Sequence, residues 1–133
     1  MKQCVFDSYA LMAFFEDEPG AEHVQRLLQQ AELDKISISM SIVNWGEVYY
    51  ALARSKGSDK ADEALLLIEQ LPVRLVDVDR GSMLQVALLK AKYPVALGHC
   101  FAAALGIARK CPVVTGDREF EKIKDLTAIE WLR

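Results

Sequence analysis

Short apolar runs, separated by stretches of helical periodicity, constrain this chain more than anything else in it. Cys4 to Phe6, Ile36 to Met40, Val73 to Val78, Pro112 to Thr115 and Ala128 to Trp131 have strand length, and turn residues or helical segments bound them. Between them run segments with an apolar residue every three or four positions. Ala21 to Glu32 carries Val24, Leu27, Leu28 and Ala31, and the segment that Ser58 begins carries Ala61, Ala64, Leu65, Ile68 and Leu71. Strands that alternate with helices fold as an α/β protein, with a parallel sheet wrapped by helices through right-handed crossovers. Two helices in succession between the second and third strands predict a helical arm beside that sheet.

Breakers and caps mark the segments. Ser8 is placed to cap a helix over Tyr9 to Phe15, and Ser41 to cap one carrying Trp45, Val48, Tyr49 and Leu52. Pro19-Gly20, Gly57, Pro72 and Tyr93-Pro94 interrupt or end helices. Helices are expected over about Arg80 to Lys92 and over the Ala-rich stretch Gly98 to Arg109, with a short one over Glu119 to Ile123. The edge of the sheet is assigned to Ala128 to Trp131.

Acids stand where the apolar runs stop. Asp7 closes Cys4-Val5-Phe6, Asp117 follows Val113-Val114-Thr115-Gly116, and Glu47 lies in the helix after the second strand. Ligands of open parallel sheets bind beyond the carboxyl ends of the strands. Carboxylates gathered there repel one another, and a hard divalent cation, which prefers oxygen ligands, is the simplest reason to gather them. Metal-assisted phosphoryl chemistry is therefore the leading expectation. Taken singly, Asp7 and Asp117 also read as plain helix caps.

At 133 residues the chain is expected to be one domain, 1–133, with a sizeable core. A net charge of −3 excludes a general basic coat for nucleic acid, so contact with a polyanion must be local or metal-mediated. The cysteines, Cys4, Cys100 and Cys111, are odd in number and form no CxxC pair. Reduced thiols and an intracellular, cytoplasmic location are expected, with Cys4 and Cys100 as small buried hydrophobes. No secretory leader is legible, and no apolar run approaches the roughly 18 residues that span a bilayer. A Gly-rich phosphate loop after the first strand is missing, which disfavours dinucleotide binding. An aspartyl-phosphate mechanism would want an acid two residues after Asp7, where Tyr9 stands.

The ordered set Val5-Phe6-Asp7-Ser8-Tyr9-Ala10-Leu11-Met12-Ala13-Phe14, Glu18-Pro19-Gly20-Ala21-Glu22, Asn44-Trp45-Gly46-Glu47-Val48-Tyr49-Tyr50, Tyr93-Pro94 through His99-Cys100-Phe101-Ala102-Ala103-Ala104-Leu105, Val114-Thr115-Gly116-Asp117-Arg118-Glu119-Phe120 and Ile129-Glu130-Trp131-Leu132 resembles the PIN-domain ribonucleases. It resembles in particular the VapC-type toxins of VapBC toxin–antitoxin pairs. The resemblance covers nearly the whole chain. It implies a three-layer α/β/α fold with a central parallel sheet of about four to five strands and a helical arm. It also implies an endoribonuclease in which Asp7, Glu47 and Asp117 hold Mg²⁺ or Mn²⁺ for hydrolysis of an RNA phosphodiester. Implied partners are an RNA substrate, a small antitoxin protein laid along the arm, and a second copy of the chain. Phe14, Phe15, Trp45, Tyr49 and Tyr50 either line the antitoxin groove or belong to the core.

Two positions depart from the family pattern. His99 stands where the family usually has Asp, and Tyr9 where many members carry a short polar residue. Three readings of His99 are open. It is a ligand for a softer ion such as Mn²⁺ or Zn²⁺, or its presence weakens or abolishes catalysis, or it lies outside the metal shell and the three acids suffice. The alternative to a nuclease is a PIN-like module that binds antitoxin or RNA without cutting. Glu119 is a candidate to orient water, Arg118 to touch RNA, and Thr115 to bond the turn backbone or a phosphate. His23 is expected at the surface, and Arg54, Lys56, Lys122 and Lys124 as solvated charges.

Overall fold

The structure, a computed structural model, describes residues 1–133. In chain order it forms β1 (Lys2–Phe6), α1 (Ser8–Phe15), α2 (Ala21–Glu32), β2 (Ile36–Ser41), α3 (Ile42–Lys56), α4 (Ser58–Gln70), β3 (Val73–Val76), α5 (Arg80–Lys92), α6 (Leu97–Arg109), β4 (Val113–Thr115), a 3₁₀ helix (Arg118–Ile123) and β5 (Ile129–Trp131). The five strands make one sheet in the order β3-β2-β1-β4-β5, and every neighbouring pair is parallel. The chain therefore builds outward from β1 in one direction, through β2 and β3. It then returns to build in the other direction, through β4 and β5. The reversal lies between β1 and β4, the kind of switch point beyond whose strand ends the ligands of open parallel sheets bind.

Alternation along β1 separates two cores. Cys4 and Phe6 face a core shared with α1 to α4, where Leu11, Val24, Leu28, Val48, Leu52 and Ile68 are buried. Val5 faces the opposite core, built with Val86 of α5, Phe101 to Ala103 of α6, Val113, and Phe120 and Ile123 of the 3₁₀ helix. This is the expected three-layer arrangement. The Ala-rich character of α6 lets Ala102 and Ala103 lie fully buried near the sheet.

Element boundaries moved where pairing or capping decides them. β1 extends back to Lys2 because β2 continues far enough to pair Lys2 with Ile36. β3 stops at Val76, not Val78, because it pairs only with β2 and that pairing ends at Ser41 opposite Val76. Ser41 then caps α3, its hydroxyl accepting from the Val43 amide at 3.2 Å. The expected Ser8 cap is corrected. Asp7 is the cap of α1, with Oδ1 accepting from the Ala10 amide at 3.0 Å, and Ser8 is the first helical residue. α6 begins at Leu97, one residue early. α3 ends at Gly57, whose φ of +92° strains any side-chain-bearing residue.

Tertiary contacts also revise single residues. His23 is not a free surface group. It is half-buried, and its Nε2 lies 2.7 Å from Glu130 Oε2, which ties α2 to β5. Phe14, Phe15, Trp45 and Tyr49 pack half-buried against the first core, while Tyr50 is exposed. All three cysteines are buried free thiols, and burial pushes Cys4 up to about 12, where a thiol is a poor nucleophile. No helix is long and apolar enough to cross a membrane.

The helical arm is part of the core, because Ala61, Ala64 and Ile68 of α4 are buried in the first cluster. Ile68→Ala is expected to cost about 2–5 kcal/mol, the usual range for truncating a fully buried aliphatic side chain. Urea denaturation would show this. A loss below about 1 kcal/mol would mean that α4 is a detachable appendage.

Candidate functional site

The site lies at the carboxyl ends of β1 and β4, on the two sides of the crevice. Asp7 follows the last residue of β1 and is 1% exposed. One of its oxygens caps α1. The other, Oδ2, is buried with no hydrogen-bond partner. Asp117 follows β4 by two residues and is built the same way. Its Oδ1 accepts from the Glu119 amide at 2.9 Å and caps the 3₁₀ helix, while Oδ2 faces His99 Nε2 at 3.1 Å. The cap reading of these two acids is therefore realised on one oxygen of each, and the second oxygen is left out of the cap. Thr115 supports the turn by accepting from the Asp117 amide at 3.1 Å.

Glu47 comes from α3, one turn beyond its start, and reaches the first turn of α6. A side chain at Gly98 would run into its carboxylate, so glycine makes room for the acid. Asn44, fully buried, donates from Nδ2 both to Glu47 Oε1 at 2.7 Å and to the Gly98 carbonyl at 3.0 Å. Sequence reasoning gave Asn44 no role. Its spacing of three residues from Glu47 on one helix face is the signal that could have found it. Glu119 also has a job that no local pattern indicates. Its Oε1 accepts from the Ala96 amide and caps α6, whose own N-cap residue offers no side-chain acceptor. The same oxygen lies 3.7 Å from His99 Nε2. His99, in turn, rests against the Phe120 ring, 4.7 Å between centroids.

Electrostatics join the acids. Burial pushes the Asp7 carboxyl up to about 7, and the charges of Asp117 and Glu47 push it the same way. The nearby Thr115 hydroxyl and the Ala10 amide bonded to Oδ1 pull against them. The buried acid carries the penalty of an ionised group without an opposite charge nearby. The donor chemistry fits a hard divalent cation: three carboxylates, one with a buried and unpartnered oxygen. As the side chains stand, however, no three His, Cys, Asp or Glu groups are close enough together to hold one ion. Asp117 Oδ2 is turned to His99 and Glu47 Oε1 to Asn44.

Comparison with known proteins now bears on this geometry. The PIN domain family profile matches residues 4–126. The chain belongs to the PIN domain family. Solved structures agree on the fold. DNA-bound VapBC from Salmonella typhimurium is similar at TM-score 0.80 and 18% identity, with all of both chains covered. Promoter-DNA-bound VapBC2 from Rickettsia felis gives 0.78 and 15%, covering 98% of this chain and 99% of that one. VapC20 of Mycobacterium tuberculosis, a sarcin–ricin-loop-cleaving toxin, gives 0.73 and 15%, covering 89% and 92%. No curated protein matches. In this PIN domain His99 meets Asp117, and Asp7 lies near enough to Asp117 and Glu47 to feel their charge.

The raised Asp7 carboxyl sets the pH dependence of the metal-free PIN domain. The folded state keeps this proton up to about 7, while an unfolded chain releases it near 3.8. Between those values the folded state binds more protons, so Asp7's contribution to stability is complete below about 4 and is lost as pH rises through 7. In chelator, wild type is expected to lose roughly 1–3 kcal/mol between pH 5 and pH 8 relative to Asp7→Asn, which keeps the cap and cannot ionise. Thermal unfolding at both pH values checks this. Parallel pH profiles for the two proteins would contradict it.

Proposed function

We propose that the chain, acting as one domain in the cytoplasm, is a divalent-metal-dependent endoribonuclease and the toxin of a type II toxin–antitoxin pair. The observation that carries this reading is the unpartnered, buried Oδ2 of Asp7 at the switch point of the sheet, with Asp117 and Glu47 close enough to raise its pKa. Membership of the PIN domain family and the likeness to VapBC structures support it.

Asp7, Asp117 and Glu47 would hold Mg²⁺ or Mn²⁺. When bound, the ion lowers the pKa of an attacking water and neutralises charge on the phosphoryl oxygens. Asp7 supplies its free oxygen from a rigid strand end. Asn44 holds Glu47 in its orientation, and Thr115 holds the turn that presents Asp117. His99 occupies Asp117 Oδ2, so we read it as a competitor of the cation for that oxygen and the enzyme as hypoactive. The same contact favours the second reading, a PIN-like module that binds antitoxin or RNA without cleavage.

The partners follow from what the surface leaves open. On the arm, Tyr50, Leu66 and Leu67 are exposed, and an antitoxin tail would lay its apolar side there. On α5 and α6, Met83, Leu84, Leu88 and Ile107 are exposed, an apolar face that suits a second copy of the chain.

His99→Asp is expected to raise Mg²⁺-dependent RNA cleavage by about 10–100-fold, the scale on which neighbours of a metal site act, and Asp7→Asn to abolish it. If His99→Asp cuts no better than wild type across Mg²⁺ and Mn²⁺ titrations, His99 does not limit the enzyme. If neither protein cuts, and calorimetry finds no divalent binding that Asp7→Asn removes, the binding-module reading replaces the nuclease.

A further inference from the structure

α5 is the least anchored helix of the fold. Of its 13 residues only Val86 is buried and Leu89 half-buried; the others are exposed. α6, of the same length, buries Gly98, Cys100, Phe101, Ala102, Ala103 and Gly106. No side chain of α5 hydrogen-bonds to another helix or strand. Ser82 bonds to Asp79 and Lys90 to the Val95 carbonyl, residues just outside the two ends of α5 itself. Between α5 and α6 lies a cavity of about 410 Å³, lined by Leu88, Leu89, Tyr93, Ala104, Ile107 and Leu126, where a close-packed interior would leave none. A smaller one, of about 100 Å³, reaches Val86, Phe101 and Leu105. The strand before α5, β3, is an edge of the sheet. The chain after α5 is held from elsewhere. Lys122 and Glu119 of the 3₁₀ helix bond the Pro94 carbonyl and the Ala96 amide, and Val95 is buried.

We propose that α5 is a flap, hinged at Asp79 and at Tyr93 to Val95, that opens in the lone chain far more readily than the rest of the fold unfolds, and that a second copy covering its outer face locks it shut. Segments with few buried apolar contacts open locally, well below the free energy of global unfolding. A helix of 13 residues is marginal without tertiary packing, and Val86 and Leu89 are all that α5 gives to the second core. Its outer side carries Met83, Leu84 and Leu88, all exposed, so apolar residues run round the helix. A helix apolar all round is one that is covered all round. Opening stops at Val95, because the start of α6 keeps its ties to the 3₁₀ helix. The consequence is proteolytic. The flap carries Arg80, Lys90 and Lys92, and an opened segment is what a protease cleaves. The lone chain thus offers proteases a site that assembly withdraws. The lock rests on the second copy proposed above; the opening does not.

Amide hydrogen exchange and limited trypsin digestion of the whole chain test this, first at a dilution where size-exclusion chromatography shows a monomer. There the amides of α5 are expected to exchange at least about 100-fold faster than those of α4 and α6, with α6 slow from Cys100 onward, and the first cuts are expected after Arg80, Lys90 or Lys92. Val86→Ala should speed α5 exchange a further 5–30-fold, roughly the effect of losing one buried aliphatic contact, and leave α4 unchanged. Leu89→Ala replaces it if circular dichroism shows Val86→Ala unfolded. Raising the concentration until a dimer forms should slow exchange and cutting of α5 together, by about tenfold or more. Where dilution does not give a monomer, Leu84→Glu on the outer face is expected to give one. An α5 that exchanges as slowly as α4 in the monomer, a core variant that speeds α4 and α5 alike, or an α6 that opens with α5 from Cys100 onward would overturn the flap. A dimer in which α5 stays fast, or one that survives both dilution and Leu84→Glu, overturns the lock. A chain that stays monomeric at every concentration removes the second copy, and the lock with it, while a fast α5 in that monomer leaves the flap standing.

Discussion

Pairing β1 on both edges, with β2 on one side and β4 on the other, places Asp7 where it is and gives the site its character. A strand covered on both faces and both edges leaves its terminal residue nowhere to go but the interior. Asp7 follows Phe6, fully buried, and is itself buried. The crevice beside it exists because the sheet grows away from β1 in both directions. A carboxylate forced into that crevice is expensive to ionise. The cost is offset by a cap hydrogen bond, by the Thr115 hydroxyl, and in the proposed enzyme by the cation.

Each strand-end acid does two jobs. Asp7 and Asp117 give one oxygen to an early amide of the following helix, while the second oxygen is unpartnered in Asp7 and faces His99 in Asp117. The cap fixes the side chain's rotamer, which serves both stability and the placement of the second oxygen. Glu47 is held differently, by Asn44 below and by the bare Gly98 beside it. Three acids from three elements are thus oriented by backbone amides and one amide side chain, before any ligand arrives.

The start of α6 depends on residues distant in the chain. The Pro94 and Val95 carbonyls accept from Lys122 and Lys90, and the Ala96 amide donates to Glu119. These contacts set where Gly98 and His99 begin the helix, and so where the imidazole meets Asp117. Lys122, which a sequence pattern reads as solvated, is here a fastener of a loop together with Lys90. The His23–Glu130 pair does the same for the edge strand, so a residue read as surface is part of the tertiary frame.

The sequence by itself determined the α/β alternation, the parallel sheet, the helix at each crossover and the acids that follow the strands. Those depend on period, length and turn chemistry, which are local. The resemblance of its ordered segments to the PIN-domain ribonucleases pointed to the family that the profile match then showed. Only the tertiary structure decided that Asp7 rather than Ser8 caps α1, that β3 ends with its partner, that Asn44 and Glu119 support the site, and that Tyr9 lies on Gly116. Each of those depends on which atoms meet across the sheet switch, and spacing along the chain does not encode that distance.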